Sequence, residues 1–266
     1  MKISIIKIGG NVIDYPEKLN EFIQQFSKFP GKKILVHGGG VMASRFGESL
    51  GVMPEMVDGR RITDKDSLDI VTMVYAGLIN KNMVASLQKY KQNAIGLTGA
   101  DGNLIRSVKR PIREIDYGYV GDIVEVNTKL ISELLELDLV PIVCALTHDK
   151  NGQLLNTNAD SIASSLATSL STTHEVNLYF CFNKAGVLID EKNENSIIPL
   201  INEDIYQELK KENVIHSGMI PKLENAFAAL EKGVNHVWIG KAENLIFASK
   251  GKLSGTIIEK HRYDLY

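Results

Sequence analysis

The sequence predicts an α/β protein built on an open, mainly parallel sheet, and three observations carry that prediction. Ile3-Ser4-Ile5-Ile6-Lys7-Ile8 is an apolar run broken only by Ser4 and by Lys7 near its end, the pattern of a strand buried on both faces of a parallel sheet. Gly9 and Gly10 follow at once, letting the chain turn tightly and bring N–H groups close to a ligand. The same order then returns: Lys33-Ile34-Leu35-Val36 runs into His37-Gly38-Gly39-Gly40, and Met42, Phe46 and Leu50 are spaced as a helical stripe. Strand, glycine turn and helix, repeated within 50 residues, are the βαβ rhythm of an open α/β sheet. A lysine at the end of a buried strand is expensive unless an anion meets it. Lys7 therefore marks its strand end as a candidate anion site.

The other elements follow in order. Leu19, Phe22, Ile23, Phe26 and Phe29 form one face of a helix opening near Pro16. Val57 to Thr63 reads as an extended or hairpin segment carrying Asp58, Arg60 and Arg61, and Thr63 or Asp64 suits the N-cap of the next helix. The stripe of that helix is Leu68, Val71, Val74, Tyr75 and Leu78, with Met83, Val84 and Leu87 in a second helical piece. Ala94 to Leu97 is a strand, and the alternation from Arg106 to Val126, punctuated by Gly118 and Gly121, suits antiparallel ribbon strands. Leu130, Ile131, Leu134 and Leu135 mark a helix before the strand Leu139 to Leu146. Asn151-Gly152 predicts a hairpin turn that returns along Leu154 to Asn156. Asn156-Thr157-Asn158-Ala159-Asp160 opens a helix with the stripe Ile162, Ala163, Leu166 and Leu170. The Ser/Thr-rich Ser169 to Thr173 then sets the expected boundary between residues 1–173 and 174–266. Beyond it come the strand Val176 to Phe182, a helix over Glu203 to Lys211, and Gly218-Met219-Ile220-Pro221-Lys222 leading a helix with Leu223, Phe227 and Leu230 on one face. Val237 to Ile239 and Thr256 to Ile258 are the last strands.

Composition narrows the function classes. A net charge of −2 leaves no electrostatic footprint for nucleic acid. No apolar run approaches the ~20 residues of a membrane span, and no signal peptide precedes the first strand. The expectation is a cytoplasmic protein with neither nucleic acid nor membrane as a partner. Cys144 and Cys181 lie in apolar strands without C-x-x-C or Cys/His spacing, so they read as buried small hydrophobes rather than a disulfide or a zinc site.

Two local motifs mislead. Gly38-Gly39-Gly40-Val41-Met42-Ala43 satisfies the dinucleotide fingerprint G-x-G-x-x-A, with Asp58 downstream. The ribose-binding acid should end a second strand, whereas Asp58 lies in a loop segment beside two arginines. Gly47-Glu48-Ser49-Leu50-Gly51 fits the hydrolase pattern G-x-S-x-G. A nucleophile elbow needs a strand-to-helix turn, but Ser49 falls in the last turn of a helix. There is no Walker A sequence either.

Lys7, Gly9-Gly10, Gly38 to Gly40, Asp160 and Lys222 are all expected at strand-to-helix junctions, which gather along the carboxyl edge of an open sheet. Two lysines, free N–H groups and one carboxylate make the set that phosphoryl transfer requires: cations for the moving charge, donors for its oxygens, and an acid to fix the cations. Six motifs, in order along nearly the whole chain, then carry a resemblance. Ile6-Lys7-Ile8-Gly9-Gly10, Val36-His37-Gly38-Gly39-Gly40, Gly59-Arg60-Arg61-Ile62-Thr63-Asp64, Gly118-Tyr119-Val120-Gly121-Asp122, Asn156-Thr157-Asn158-Ala159-Asp160 and Gly218-Met219-Ile220-Pro221-Lys222 resemble the amino-acid kinase family. Within it they resemble the branch that phosphorylates the side-chain carboxylate of an N-acylated glutamate in arginine biosynthesis.

That resemblance implies a three-layer αβα sandwich, with residues 1–173 binding the acylamino acid and dimerising and residues 174–266 binding the nucleotide. It implies that Lys7 and Lys222 stabilise the transition state, with Asp160 orienting both. Gly39 and Gly40 would lend N–H groups, and Arg61 and Asn156 would hold the substrate's α-carboxylate. Gly9, Gly10, Asn183, Gly186, Gly218 and Met219 would surround the nucleotide. The implied cofactors are ATP and Mg²⁺, the metal bridging the phosphates with few protein ligands, and the implied assembly is a homodimer. Because the first strand stands at the start of the chain, the resemblance further implies a dimer insensitive to free arginine. N-acetyl-L-glutamate is the expected substrate, with N-succinyl-L-glutamate or N-acetyl-2-aminoadipate as alternatives and a non-catalytic sensor as a second one. One departure is Phe182-Asn183-Lys184-Ala185-Gly186, where the family usually carries a Ser/Thr-Asp pair before the glycine. The other is Arg60, which is expected to face away from Arg61 because neighbours on an extended strand point to opposite sides.

Overall fold

The structure is a computed structural model and describes residues 1–57, 60–190, 192–215, 219–251 and 254–260. In chain order the strands are β1 (Lys2–Ile8), β2 (Lys32–His37), β3 (Glu55–Val57), β4 (Arg60–Ile62), β5 (Ala94–Leu97), β6 (Ile105–Lys109) and β7 (Gly121–Val126). They continue as β8 (Val140–Cys144), β9 (Leu146–His148), β10 (Leu154–Asn156), β11 (Glu175–Phe182), β12 (Leu200–Ile201), β13 (His236–Lys241) and β14 (Thr256–Ile258). Eight of them form one sheet in the order β12-β14-β13-β11-β1-β2-β8-β5. Neighbours in that sheet run parallel except β13 with β14. β1, apolar from Ile3 onward, lies near the middle between β11 and β2, and every residue after Lys2 is buried. The expected division at residues 173 and 174 falls just before β11, and the sheet runs through it.

The helices are α1 (Gly10–Ile13), α2 (Pro16–Lys28), α3 (Gly40–Ser49), α4 (Lys65–Val71), α5 (Asn80–Lys89), α6 (Thr128–Glu136), α7 (Ala159–Leu170), α8 (Glu203–Lys211), α9 (Ile220–Glu231) and α10 (Leu245–Ser249). α2 packs with α5 and α10, while α7 packs with α6 and α9. These are the two helical layers of the αβα sandwich. A smaller sheet, β10-β9-β6-β7, and the ribbon β3-β4 extend from the part of the chain between α3 and α7.

Two local expectations change. The first helix opens at Gly10 itself, directly after the strand. The two pieces expected over Leu68 to Leu87 are one helical run, Lys65–Lys89, joined by the π-helical stretch Thr72–Ile79. Wider i→i+5 turns rotate the apolar stripe, so Ile79 is buried while Leu78 is 39% exposed. Among the described residues this is the one helix long and apolar enough, by length and composition, to cross a membrane. Its Leu68, Val71, Val74, Ile79, Met83 and Leu87 belong to the core beneath the sheet. Ser49 ends α3 and donates to the Phe46 carbonyl at 2.7 Å, which removes the hydrolase pattern. Burial pushes the thiols of Cys144 and Cys181 up to about 12.

Candidate active site

The carboxyl end of β1 carries Lys7, whose Nζ lies 2.8 Å from Asp160 Oδ1. The angles of this contact make it an ion pair rather than an aligned hydrogen bond. Asp160 sits in the first turn of α7, where the Asn158 side chain caps the helix by accepting the Asp160 N–H at 2.7 Å. A carboxylate is favoured there by the helix dipole. Lys222, the third residue of α9, places Nζ 4.2 Å from the Phe182 ring centroid, and Lys7 Nζ is 5.7 Å from the same ring. Burial lowers the pKa of Lys222 from its ordinary value; Asp160 pulls it back up and Lys7 pushes it further down. The three charged groups thus act on one another across one small space, with the Phe182 ring as its apolar wall. Their origins differ from expectation. Only Lys7 ends a main-sheet strand, since α7 follows the hairpin strand β10 and α9 follows α8.

The glycine turn after β2 is set by a buried histidine. His37 Nδ1 donates to the Gly38 carbonyl at 2.8 Å, and Nε2 accepts from Asn80 Nδ2 at 3.1 Å. Asn80 Nδ2 also donates to the Ile142 carbonyl at 2.9 Å. This pattern requires the neutral imidazole, and burial lowers the His37 pKa to about 4. Gly39 has φ +148°, and a Cβ there would fall 2.2 Å from Ile79 Cδ1. Only glycine fits both the angle and the space. α3 starts at Gly40 with no side-chain cap on Gly39, so its first N–H groups lack helical partners. Burial raises the pKa of the nearby Asp14 carboxylate, and Arg45 and the Met42 N–H work against that rise.

Arg61, on β4, is docked onto α3: Nη2 donates to the Gly40 carbonyl at 2.9 Å and to Ser44 Oγ at 2.6 Å. Burial raises the pKa of the neighbouring Tyr75 hydroxyl, and Arg61 pulls it partly back. No carboxylate pairs with Arg61 among the described residues. Asn156 Nδ2 donates to Thr63 Oγ1 at 3.0 Å. Asp64 rather than Thr63 caps α4, accepting the Ser67 N–H at 2.8 Å.

A cleft of about 430 Å³ brings together Lys7, Gly39, Gly40, Arg61, Asn156 and Asp160. Arg60, exposed, is also among the residues at its rim. β4 is three residues of a two-stranded ribbon. Sequence reasoning missed Tyr75, Arg110 and Phe182 as site residues. A tyrosine in a buried stripe needs a partner for its hydroxyl, which was the available signal for Tyr75. Nothing local distinguished Phe182 from a core strand residue.

The residues expected around the nucleotide are scattered. Gly9 stands at the turn after Lys7, where a Cβ would lie 3.4 Å from Lys7 Nζ, and Gly10 begins α1. Gly186 and Met219 line a separate pocket of about 30 Å³ with Val187 and Ile215. Gly186 is also packed so tightly that a Cβ would fall 2.7 Å from Thr256 Oγ1. Asn183 is exposed just beyond β11, and Gly218 lies outside the described residues.

A parallel-sheet sandwich whose strand end holds a lysine, an acid and a second lysine beside a glycine turn defines a class. The amino acid kinase family model matches residues 2–241, and the chain belongs to that family. More particularly, it is 52% identical over 257 residues to the acetylglutamate kinase of Cytophaga hutchinsonii, covering 96% of this chain and 97% of that one. It is 48% identical over 259 residues to the acetylglutamate kinase of Phocaeicola vulgatus, covering 97% and 99%. Among solved structures, a protein of Streptococcus mutans UA159 superposes with a TM-score of 0.77 at 29% identity, covering 97% of this chain and 99% of that one. N-acetylglutamate synthase from Neisseria gonorrhoeae, complexed with coenzyme A and N-acetyl-glutamate, gives 0.82 at 22% identity, covering 98% of this chain and 60% of that one. The latter likeness is one of fold.

Proposed function

We propose that the protein transfers the γ-phosphoryl group of ATP to the side-chain carboxylate of N-acetyl-L-glutamate, giving an acyl phosphate within arginine biosynthesis. The observation that carries this reading is the convergence of Lys7, Asp160 and Lys222 beside the cleft, in a chain about half identical to acetylglutamate kinases. The substrate carboxylate is already ionised and attacks the γ-phosphorus in line. One P–O bond forms to the carboxylate as the bond to the ADP oxygen breaks, so no proton transfer and no covalent enzyme intermediate is needed. Lys7 and Lys222 take the negative charge spread over the transferring group, and Asp160 holds the two ammonium groups in place.

Gly39 and Gly40 offer N–H groups to the same oxygens. Arg61 and Asn156 hold the α-carboxylate, and a guanidinium whose present partners are neutral is suited to that task. Gly9, Gly10, Asn183, Gly186, Gly218 and Met219 serve the nucleotide, most of them from residues 174–266, while residues 1–173 hold the acylamino acid. Among the described residues no three His, Cys, Asp or Glu side chains gather to hold a metal ion. A Mg²⁺ bound with the nucleotide would neutralise part of the phosphate charge. We place the enzyme in the cytoplasm as a homodimer. The test is ADP release from ATP by the purified chain with N-acetyl-L-glutamate, with glutamate as the control. Acceptor-dependent release is expected, and its absence with every N-acylated glutamate would overturn the assignment.

A further inference from the structure

We propose that Asn80, acting through His37, is a positioning residue for phosphoryl transfer: the pair aims the backbone N–H groups of the turn Gly38 to Gly40, and a π-helical turn is what brings Asn80 there. The inference rests on the proposed kinase reading and deepens it at the N–H donors of the same site.

Every carbonyl of the turn is held. His37 Nδ1 donates to the Gly38 carbonyl at 2.8 Å, the Ala43 N–H to the Gly39 carbonyl at 2.9 Å, and Arg61 Nη2 to the Gly40 carbonyl at 2.9 Å. No peptide among the described residues is cis, and in a trans peptide the N–H points opposite to the C=O. Each bond therefore fixes the line of the N–H that follows, those of Gly39, Gly40 and Val41 in turn, and all three residues line the cleft. The second and third bonds come from α3 and Arg61. The first depends on His37. A neutral imidazole donates from Nδ1 only while Nε2 is the acceptor, and Asn80 enforces that state. The Ile142 carbonyl can only accept, so the Asn80 atom 2.9 Å from it is the amide nitrogen, which also donates to His37 Nε2 at 3.1 Å. His37 is 0% and Asn80 1% exposed, and neither lines the cleft. They reach it through the backbone of the turn.

Asn80 stands in this place because the π-helical stretch Thr72–Ile79 ends beside it, and its own N–H donates to the Tyr75 carbonyl five residues back. Residues five apart lie about 140° apart around an α-helix, so an α-helical turn would not let Tyr75 and Asn80 share a face. An i→i+5 turn brings the fifth residue back over the first. Both are accordingly buried, while Gly77 and Leu78 between them are exposed. A Cβ on Gly39 would fall 3.2 Å from Tyr75 Cδ1 and would collide with Ile79. One helical face thus carries the side chains that fill the space beside Gly39 and the amide that holds the histidine.

A misaimed donor forfeits charge stabilisation in the transition state, so the effect belongs to kcat rather than to KM. The experiment measures ADP release by the full chain from ATP with N-acetyl-L-glutamate, and the melting temperature, for the wild type, Asn80→Leu, His37→Asn and His37→Leu. Asn80→Leu keeps a comparable shape without the donor. It should lower kcat roughly 10- to 100-fold and leave both KM values within about threefold of the wild type. His37→Asn puts an amide nitrogen near the place of Nδ1, so it should keep more kcat than His37→Leu while both melt earlier. Nitrogen-15 spectra of the wild type read the first link without any variant. His37 should carry its proton on Nδ1 and stay neutral down to about pH 5, above its lowered pKa of about 4. An unchanged kcat in Asn80→Leu, or a loss in KM alone, would overturn the inference and leave the kinase reading standing. Equal kcat in the two His37 variants, or a proton on Nε2, would do the same. Where Asn80→Leu does not fold, the His37 pair and the spectra decide. No ADP release by the wild type with any N-acylated glutamate would overturn the kinase reading, and this inference with it.

Discussion

Two lysines lie buried on neighbouring central strands, and only one of them belongs to the cleft. Lys33, near the start of β2, is 4% exposed, and its ammonium donates to the carbonyls of Phe26 at 2.7 Å, Phe29 at 2.8 Å and Ser27 at 3.2 Å. It closes the carboxyl end of α2, where carbonyls lack helical partners. Lys7, near the end of β1, is 9% exposed and meets the Asp160 carboxylate at a wall of the cleft. Both strands run the same way, so the two lysines sit toward opposite edges of the sheet. Both solve the problem of a buried cation, but with different partners. Fixed carbonyls hold Lys33 in a closed site, and burial lowers its pKa to about 8. A carboxylate at a helix start leaves Lys7 with donor capacity toward an open space. What separates a structural lysine from a functional one here is the partner and the cavity, not the burial.

The largest expected effect sharpens this contrast. Lys7→Ala and Lys222→Ala should each lower kcat by roughly 10²- to 10³-fold or more, because they act on charge present mainly in the transition state. The melting temperature should stay close to that of the wild type. Near-normal turnover in either variant would move that lysine into the same class as Lys33. Next, Asp160→Asn should share its effect with Lys7→Ala, so that the double variant is far less impaired than the product of the two single losses. A fully multiplicative double variant would mean that the acid and the lysine act independently.

Lys33→Met supplies the reverse arm. It strands buried carbonyls, so stability should fall by about 1–3 kcal/mol while kcat is retained. Denaturant unfolding and the ADP assay on the same preparation read both quantities. A loss of kcat without a loss of stability would erase the distinction between the two edges.

The same contrast explains what the sequence could convey. Central strands, glycine turns and most helices were legible because burial imposes period and punctuation that a linear reading detects, as in the uninterrupted β1 and the Asn151-Gly152 hairpin between β9 and β10. Lys7 was legible because a charge in such a strand is an anomaly. The stripe on the long helix slipped by one at Leu78 because a π-helical stretch leaves no simple mark in a sequence. Phe182 and Arg110 enter the site through tertiary packing alone, from β11 and from the segment after β6. Lys33 would have been as conspicuous an anomaly as Lys7. Nothing in its neighbours told that its partners would be carbonyls.

The smallest effect concerns Lys222, beside the cleft, and uses pH to set activity against stability. Lys222 has its pKa lowered from 10.5, first by burial and then by Lys7, against the pull of Asp160. Its ammonium is needed for catalysis, so kcat should decline on the alkaline side at a pH below that of an ordinary lysine. Lys222→Arg should remove this limb, because a guanidinium keeps its charge. Stability runs the other way. Between the lowered folded value and 10.5, the unfolded chain binds more protons at this position than the folded one, so this group's contribution to stability rises with pH across that window. Lys222→Met should accordingly be more stable than the wild type at neutral pH, with the advantage shrinking as the pH climbs through the window. Melting curves of the two proteins, taken at matched pH, read the difference directly. An advantage that grows with pH would mean that the charged form of Lys222 is favoured by the fold, the opposite of what burial does to Lys33.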